Sequence, residues 1–406
     1  MKVVVIGGGA SGMLCAILQK RLGFDVTLIE KNEKLGKKLY ITGKGRCNLC
    51  NDCEPQEFFN NVVSNPKFLT SAIYSFTPKD TMEFFESLGL TLKTERGNRV
   101  FPISDKSSDV IKALQNELVR LNVNINFNEK ALKINQEDGK VKSVLTDKCE
   151  YFADKVVVAT GGITYPSTGS TGDGFEFAKS LGHTVTELYP SLCGVNLKGE
   201  DFKPLQGLTL KNVSLSVSDN SKVFYVEQGE MLFTHYGVSG PLVLTASALL
   251  ARRKSKDIKF SIDLKPALDK ETLDRRVLRD FLEFKNKELK NSLDALLPKA
   301  IIPLVIKKAN ISENKKVSII TSQERERLVD TIKNLEFTFL SLRGVNEAVI
   351  TSGGVSVKEI NPKTMESKII KGLYFIGEVL DVDAFTGGFN LQIAFSTANS
   401  CGIQSE

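Results

Sequence analysis

Gly7-Gly8-Gly9-Ala10-Ser11-Gly12 fits the pattern G-x-G-x-x-G, and Glu30 follows 23 residues after Gly7. Glycines at this spacing allow a tight turn at Gly7, a close approach of backbone amides to a pyrophosphate at Gly9, and close helix–sheet packing at Gly12. A helix opening at Ala10 and Ser11 would offer unpaired N–H donors and a partial positive charge to the phosphates. Glu30 would accept hydrogen bonds from the two hydroxyls of an adenosine ribose and repel a 2′-phosphate, which selects FAD or NAD over NADP.

Other residues favour the longer cofactor. A second glycine-rich loop spans residues 39–48 (LYITGKGRCN), with Thr42, Gly43, Gly45, Arg46, Cys47 and Asn48, and is flanked by Lys37 and Lys38. Its amides and cations could close over a pyrophosphate and reach a ribityl chain. Near the C-terminus, Gly377-Glu378 ends a strand-like run and Gly387-Gly388-Phe389-Asn390 opens the last helical segment. A helix start directed at the N1–C2=O edge of a flavin stabilises negative charge there, and an acidic residue before it can bind ribityl hydroxyls. NAD needs no such second end.

The chain has few other candidates for proton chemistry. His183 and His235 are the two histidines, and tryptophan is absent. His235, in the turn Thr234-His235-Tyr236-Gly237, and Tyr165, after Gly161-Gly162, are the candidate catalytic proton donors. His183 reads as a packed residue at a helix end. Cys47, Cys50 and Cys53 suggest a cluster, but position 57 is Glu where a ferredoxin run needs its fourth cysteine. No metal is expected.

The elements that must position these residues follow from periodicity. Residues 2–6 form a short β-branched run, 10–22 carry helically spaced apolar residues that Gly23 stops, and 25–30 form a second strand. Strand, glycine turn, helix, strand is a βαβ unit, so the chain opens a Rossmann-like doubly wound α/β sheet. Residues 58–128 read as mostly helical, with strands expected at 125–127, 131–135, 141–145 and 155–159. From 184 to 262 the pattern becomes β-rich and alternating. Residues 250–316 hold 18 basic and 10 acidic residues at helical spacing, which reads first as a solvated face. Doubly wound grammar returns at about 352, ending in a helix over roughly 390–400. The expected organisation is an FAD-binding domain from 1–190 and 352–406, a β-barrel-like insertion from 191–264 and 329–351, and a small helical domain at 265–328.

Composition sets limits. The chain has 406 residues, a net charge of +6, 41% hydrophobic and 25% charged residues. These values exclude a disordered chain, a coiled coil and a fibre. No apolar run reaches the ~18 residues of a membrane span, and glycines interrupt the N-terminal apolar stretch where a signal peptide would continue. A cytoplasmic protein is expected. Seven cysteines, an odd and sparse number, read as reduced thiols. The modest charge does not require nucleic acid as a partner.

The whole chain resembles the HI0933-like flavoproteins, also called the BaiN or aminoacetone-oxidase-like family, in the glutathione-reductase-type FAD-binding superfamily. The motifs are GGGASG at 7–12, TGKGRCN at 42–48, ATGG at 159–162, YPSTGSTGDG at 165–174, LFTHYGVSGP at 232–241 and GEVLDVDAFTGGFNLQIAFSTA at 377–398. Ala384 and Phe389 depart from the family's usual Gly and Tyr. The resemblance implies an FAD domain interrupted by a barrel-like and a helical domain. It implies FAD contacts from Gly7, Gly9, Ala10, Ser11, Gly12, Glu30, Lys31 and Lys37, from the Thr42–Asn48 loop, and from the backbone near Ala131. Further contacts are implied from Thr160, Gly161, Gly162, Asp173, Gly377, Glu378, Asp381, Gly388, Phe389, Asn390 and Leu391.

No second G-x-G-x-x-G stands between a strand and a helix, so NADH or NADPH would bind only transiently. The sequence therefore predicts an FAD-dependent oxidoreductase exchanging hydride between flavin N5 and a small organic molecule. Reduction of conjugated enones, such as steroid-like substrates, is the leading expectation. A flavin amine oxidase of the aminoacetone-oxidase type, or a flavin-dependent protein modifying tRNA or another nucleic acid, is the alternative.

Overall fold

The computed structural model describes residues 1–255 and 257–402. The chain divides into two units, one of residues 1–191 and 344–406, the other of residues 192–343.

The first unit is built on five parallel strands in the order Leu373–Phe375, Lys155–Val158, Lys2–Ile6, Asp25–Glu30, Asn124–Phe127. Val3–Ile6 and Lys155–Val158 are buried along their length, as β-branched runs in a sheet covered on both faces should be. The first crossover is helix Ala10–Arg21, buried at Ser11–Ile17 and packed against helix Phe389–Gly402. The strand order turns at Lys2–Ile6, which has the helix crossover on one side and the distant Lys155–Val158 on the other. Ligand crevices of open α/β sheets form at the C-terminal ends of strands at such a reversal. Gly7, Thr160 and Gly377 all lie at or just beyond those ends.

The stretch expected to be mostly helical also contains strands, one of them Val62–Ser64, which pairs with Asp383–Ala384. Helices Pro78–Ser87 and Ser107–Arg120 are there, and between them runs a hairpin of Leu92–Glu95 and Arg99–Pro102. Gly97 and Asn98 take φ of +77° and +56° at its tip, a turn that matches the twist of paired strands.

In the second unit six strands close into a barrel, in the order Val195–Leu197, Gly237–Ser239, Lys222–Thr234, Thr209–Asp219, Ile258–Asp263, Leu335–Leu342. Along strand Thr209–Asp219 the buried Val213, Leu215 and Val217 alternate with the partly exposed Ser214, Ser216 and Ser218, the two-residue period of a strand with one face on the core. Helices Lys270–Glu283, Ile302–Lys308 and Ser322–Lys333 belong to this same unit and do not separate from the barrel. Val277, Phe281, Leu328 and Val329 share one core with Leu215, Val217 and Phe260, because helix Ser322–Lys333 lays its apolar stripe on strand Ile258–Asp263. The return crossing falls at 343/344, not at 351/352. Strand Ile350–Ser352 pairs with Tyr189–Ser191 inside the first unit, which fixes residues 344–351 there.

Among the described residues, no helix is long and apolar enough to cross a membrane, and no group of His, Cys, Asp and Glu could hold a metal ion.

Candidate functional site

The glycine loop is shaped by what surrounds each position. Gly7 has φ +107°, and a side-chain carbon there would come within 2.6 Å of the Ala159 carbonyl oxygen. One at Gly12 would strike the Gly7 carbonyl. At Gly9 a side-chain carbon would meet nothing within 4 Å, so the loop is open to an incoming group there. Gly9 is also the residue before helix Ala10–Arg21, and no side chain caps that helix start. The first turn carries no acidic residue, so its N–H groups and dipole remain available to an anion.

Glu30 is 7% exposed at the end of its strand. One oxygen accepts from the Gly8 N–H at 2.8 Å, and the other accepts from the Asn32 N–H at 2.8 Å and the Asn32 amide at 2.6 Å. An ionised carboxylate has about four acceptor positions. Three are used, leaving capacity for a hydroxyl donor. Lys31 Nζ donates to Thr171 and, at 2.6 Å, to Asp173, which starts helix Asp173–Ser180. Lys37 Nζ donates to Asn32 at 3.3 Å and Glu33 at 3.4 Å. Ala131 is buried at the start of strand Ala131–Glu137, close to Glu30 in the fold, because the Glu129 N–H donates to the Glu30 carbonyl.

The Thr42–Asn48 loop coils in a left-handed sense, with φ of +57° at Gly43, +58° at Lys44, +84° at Gly45 and +59° at Cys47. Arg46, expected at the cofactor, is engaged within the chain. Its guanidinium donates to Asp105 at 2.6 Å and to Glu95, and lies 4.2 Å from the Phe101 ring centre. It braces the loop against the hairpin. Asn48 behaves differently: its side-chain oxygen is buried without a hydrogen-bond partner among the described residues. The Thr160 hydroxyl is orphaned in the same way, beside the start of helix Asp173–Ser180, where a side-chain carbon at Gly174 would strike it.

The C-terminal segment joins this assembly. Gly377, at φ +72°, approaches Ser11 so closely that a side-chain carbon would sit 2.7 Å from its hydroxyl. Glu378 accepts from Lys38 Nζ at 2.7 and 2.9 Å, from the Thr351 N–H at 2.9 Å and from Thr164 at 3.2 Å. The carboxylate expected to hold ribityl hydroxyls is thus already committed within the chain. Asp381 is buried, and its carbonyl accepts from Asn65 at 2.6 Å. Gly388 presses against the Cys50 backbone, Phe389 packs edge-on against Phe58, and Leu391 is partly buried. Asn390 turns back on its own loop, bonding the Ala384 N–H and carbonyl at 2.9 and 2.7 Å, and so fixes the entry to helix Phe389–Gly402.

Tyr165 follows Gly161-Gly162 with φ +53°, an unusual conformation for an aromatic residue and a kind of strain that clusters at functional sites. It is half-buried, and burial, with the Glu347 charge second, raises its phenol above the ordinary range. His235 lies in the second unit, exposed at the hairpin turn, edge-on to Tyr236. Cys47 and Cys50 are buried thiols; burial pushes Cys47 up to about 12 and Cys53 up to about 11, which leaves Cys47 and Cys53 as weak nucleophiles. Thr164 and Thr351 are site residues that sequence reasoning does not single out, and Lys38 is noted there only as a cation flanking the loop. Only the Lys37-Lys38 doublet hints at them, and the partner lies in a segment far along the chain.

An open Gly9, an uncapped helix start and the orphaned Thr160 oxygen at the strand ends, with a further orphaned oxygen at Asn48 on the second glycine loop, fit a dinucleotide whose pyrophosphate meets backbone amides. The fold and the site define a glycine-loop, dinucleotide-binding protein of the doubly wound α/β class.

Residues 1–404 match the HI0933-like protein Rossmann domain, and the chain belongs to this family of FAD-dependent oxidoreductases. It is 31% identical over 407 residues to the 3-dehydro-bile acid delta(4,6)-reductase of Clostridium scindens, covering 99% of this chain and 98% of the relative. It is 31% identical over 406 residues to the ribosomal RNA dihydrouridine synthase of Haemophilus influenzae, covering 98% and 97%. Among solved structures, the 3-ketosteroid-delta4-(5alpha)-dehydrogenase from Rhodococcus jostii RHA1 aligns with a TM-score of 0.54 and 14% identity, over 99% of this chain and 96% of the other. That likeness is one of fold.

Proposed function

We propose that the protein is an FAD-dependent reductase that saturates a carbon–carbon double bond conjugated to a carbonyl. FAD, when bound, supplies hydride at N5, and NADH or NADPH is the donor that restores it. The observation carrying this reading is the full-length likeness to a delta(4,6)-reductase, together with a crevice whose open glycine and orphaned polar atoms suit FAD.

The chain's own residues would divide the work. Amides of Gly9 to Ser11 bind the pyrophosphate, and Glu30 accepts a ribose hydroxyl. Asn48 and Thr160 give their buried oxygens to the cofactor. The Lys38–Glu378 pair holds the loop that carries Tyr165. Tyr165 keeps its proton on the phenol oxygen at neutral pH, because burial disfavours the phenolate. It can give that proton to the carbon next to the carbonyl.

A second reading has a specific ground. The C5=C6 bond of uracil is also an alkene conjugated to a carbonyl, and a relative of equal identity is named for dihydrouridine in ribosomal RNA. The same chemistry would then act on a base in RNA. The test is product analysis: the purified protein with NADPH or NADH is given a 4-ene-3-ketosteroid or ribosomal RNA. Saturation of either acceptor supports the class and chooses the substrate. Saturation of neither, with flavin bound and reducible, would remove the reductase reading.

A further inference from the structure

Cys15 and Cys401 are fully buried on two helices that pack side by side, Ala10–Arg21 and Phe389–Gly402. The helices run in the same direction. Near their starts Ser11 and Ala394 both flank Gly377, and near their ends the Gln19 amide donates to the Cys401 carbonyl at 3.0 Å. The approach is close: a side-chain carbon at Gly402 would lie 3.9 Å from the Leu18 Cβ. Disulfide-linked residues hold their Cβ atoms roughly 3.5–4.5 Å apart, so the two backbones already stand at that spacing beside Cys401.

Lys155 completes the cluster. It is 7% exposed, its Nζ donates to the Cys401 carbonyl, and it stands 4.1 Å over the Tyr374 ring. Burial acts to raise the Cys401 thiol, and Glu366 adds to that. Contact with the Cys15 thiol and the Lys155 charge outweigh both and hold Cys401 below its ordinary value. Cys15 is held well above its ordinary value by contact with Cys401 and by burial, so it keeps its proton. Cys47 and Cys50, equally buried, are simply raised by burial. A thiolate-leaning sulfur beside a protonated one is the arrangement of an attacking and a resolving cysteine.

We infer that Cys15 and Cys401 are a redox pair that closes to a disulfide on oxidation by hydrogen peroxide, locking the helix that starts at the glycine loop to the helix that starts beside Gly388. The Cys401 thiolate attacks one peroxide oxygen, the O–O bond breaks, and a sulfenic acid forms at Cys401. The other oxygen leaves as hydroxide and takes up the proton that the Cys401 thiol gave up, becoming water. The Cys15 sulfur then attacks the Cys401 sulfur, the S–O bond breaks, and hydroxide leaves with the Cys15 proton as a second water. Two thiols are oxidised and one peroxide is reduced. Peroxide is what a reduced flavin makes when it passes its electrons to dioxygen, so the oxidant arises at a cofactor that these two helices begin beside. Gly402 is partly exposed, and opening of this last helical turn admits a molecule of that size.

The test treats the FAD-loaded full-length protein with hydrogen peroxide, quenches with catalase, then unfolds it and alkylates the remaining thiols. Of the seven thiols, two should be lost, and peptide mapping should find a Cys15–Cys401 cross-link that dithiothreitol splits. The thermal midpoint of the oxidised protein should rise by about 2 °C or more and fall back on reduction. Cys15→Ser should form no cross-link and should accumulate a sulfenic acid at Cys401 that dimedone traps. Seven thiols still alkylated after peroxide would overturn the inference. So would loss confined to the exposed Cys149, or a cross-link that forms only after unfolding. A cross-link with no rise in the midpoint would overturn the lock.

Discussion

Lys38 Nζ lies 2.7 and 2.9 Å from the two carboxylate oxygens of Glu378, joining segments 340 residues apart in the chain. Each side chain is about one-fifth exposed, and Thr164 and Thr351 complete the network. Thr351 also accepts from the Ile163 N–H at 2.9 Å, so the pair governs the loop leading to Tyr165. Breaking a largely buried pair from one side leaves the other charge stranded. Lys38→Met and Glu378→Gln should each cost about 1–3 kcal/mol, and the double variant should cost clearly less than their sum. A double-mutant cycle by chemical denaturation checks this. Strict additivity would mean that the contact carries no coupling.

The glycine loop separates folding from cofactor binding. Gly12→Ala forces a side-chain carbon into the Gly7 carbonyl, and the protein should lose several kcal/mol or fail to accumulate. Gly9→Ala meets nothing in the chain and should fold with unchanged stability, while FAD affinity drops at least about tenfold because the methyl group occupies the approach to the amides. Thermal unfolding of the apoprotein and FAD titration by flavin fluorescence give the two readouts.

Tyr165→Phe removes the phenolic proton and keeps the ring. The flavin should still be reduced by the nicotinamide at the wild-type rate, whereas reoxidation by an electron-poor alkene should slow by about 10²-fold or more, typical of losing a general acid. Stopped-flow measurement of the two half-reactions distinguishes these effects. Equal slowing of both would mark Tyr165 as a structural residue.

His183 predicts a pH dependence of stability. Its ring is buried, with Nε2 2.9 Å from the Ser367 hydroxyl and Nδ1 3.3 Å from the Glu359 carboxylate. Ser367 Oγ already accepts from the Ile369 and Ile370 N–H groups, so it donates to Nε2, which must be unprotonated. Burial, only partly opposed by Glu359, lowers the imidazole below its ordinary value. The unfolded chain therefore takes up the proton first. The contribution of His183 is complete above about pH 6.5 and is lost as pH falls through the folded-state value. Urea midpoints between neutral and mildly acidic pH should decline more for the wild type than for His183→Asn.

Much of the site is legible in the sequence because it depends on local chemistry. The first βαβ unit, Glu30 and the glycine loops follow from spacing that a short window contains. The Leu92–Pro102 hairpin escapes such a reading because its strands are short and only Gly97-Asn98 marks the turn. The commitments of Arg46 and Glu378 are not readable from sequence, since a cation's partner depends on which distant segment the fold brings beside it. The helices after Lys270 look like a domain of their own by period alone. The shared core with Phe260 and Leu215, and contacts such as Lys333 with Asp263 at 2.6 Å, tie them to the barrel through residues far apart in the chain.

In the proposed reaction, bound FAD would take electrons from a nicotinamide and pass them to a conjugated alkene. The direct measurement is the anaerobic visible spectrum of the purified protein, first with NADPH or NADH, then with a 4-ene-3-ketosteroid or ribosomal RNA. The expected result is a flavin absorbance that one nicotinamide bleaches and one of these acceptors restores. A bound flavin that bleaches and is restored by oxygen but by neither acceptor, or a protein that takes up no FAD, would contradict it.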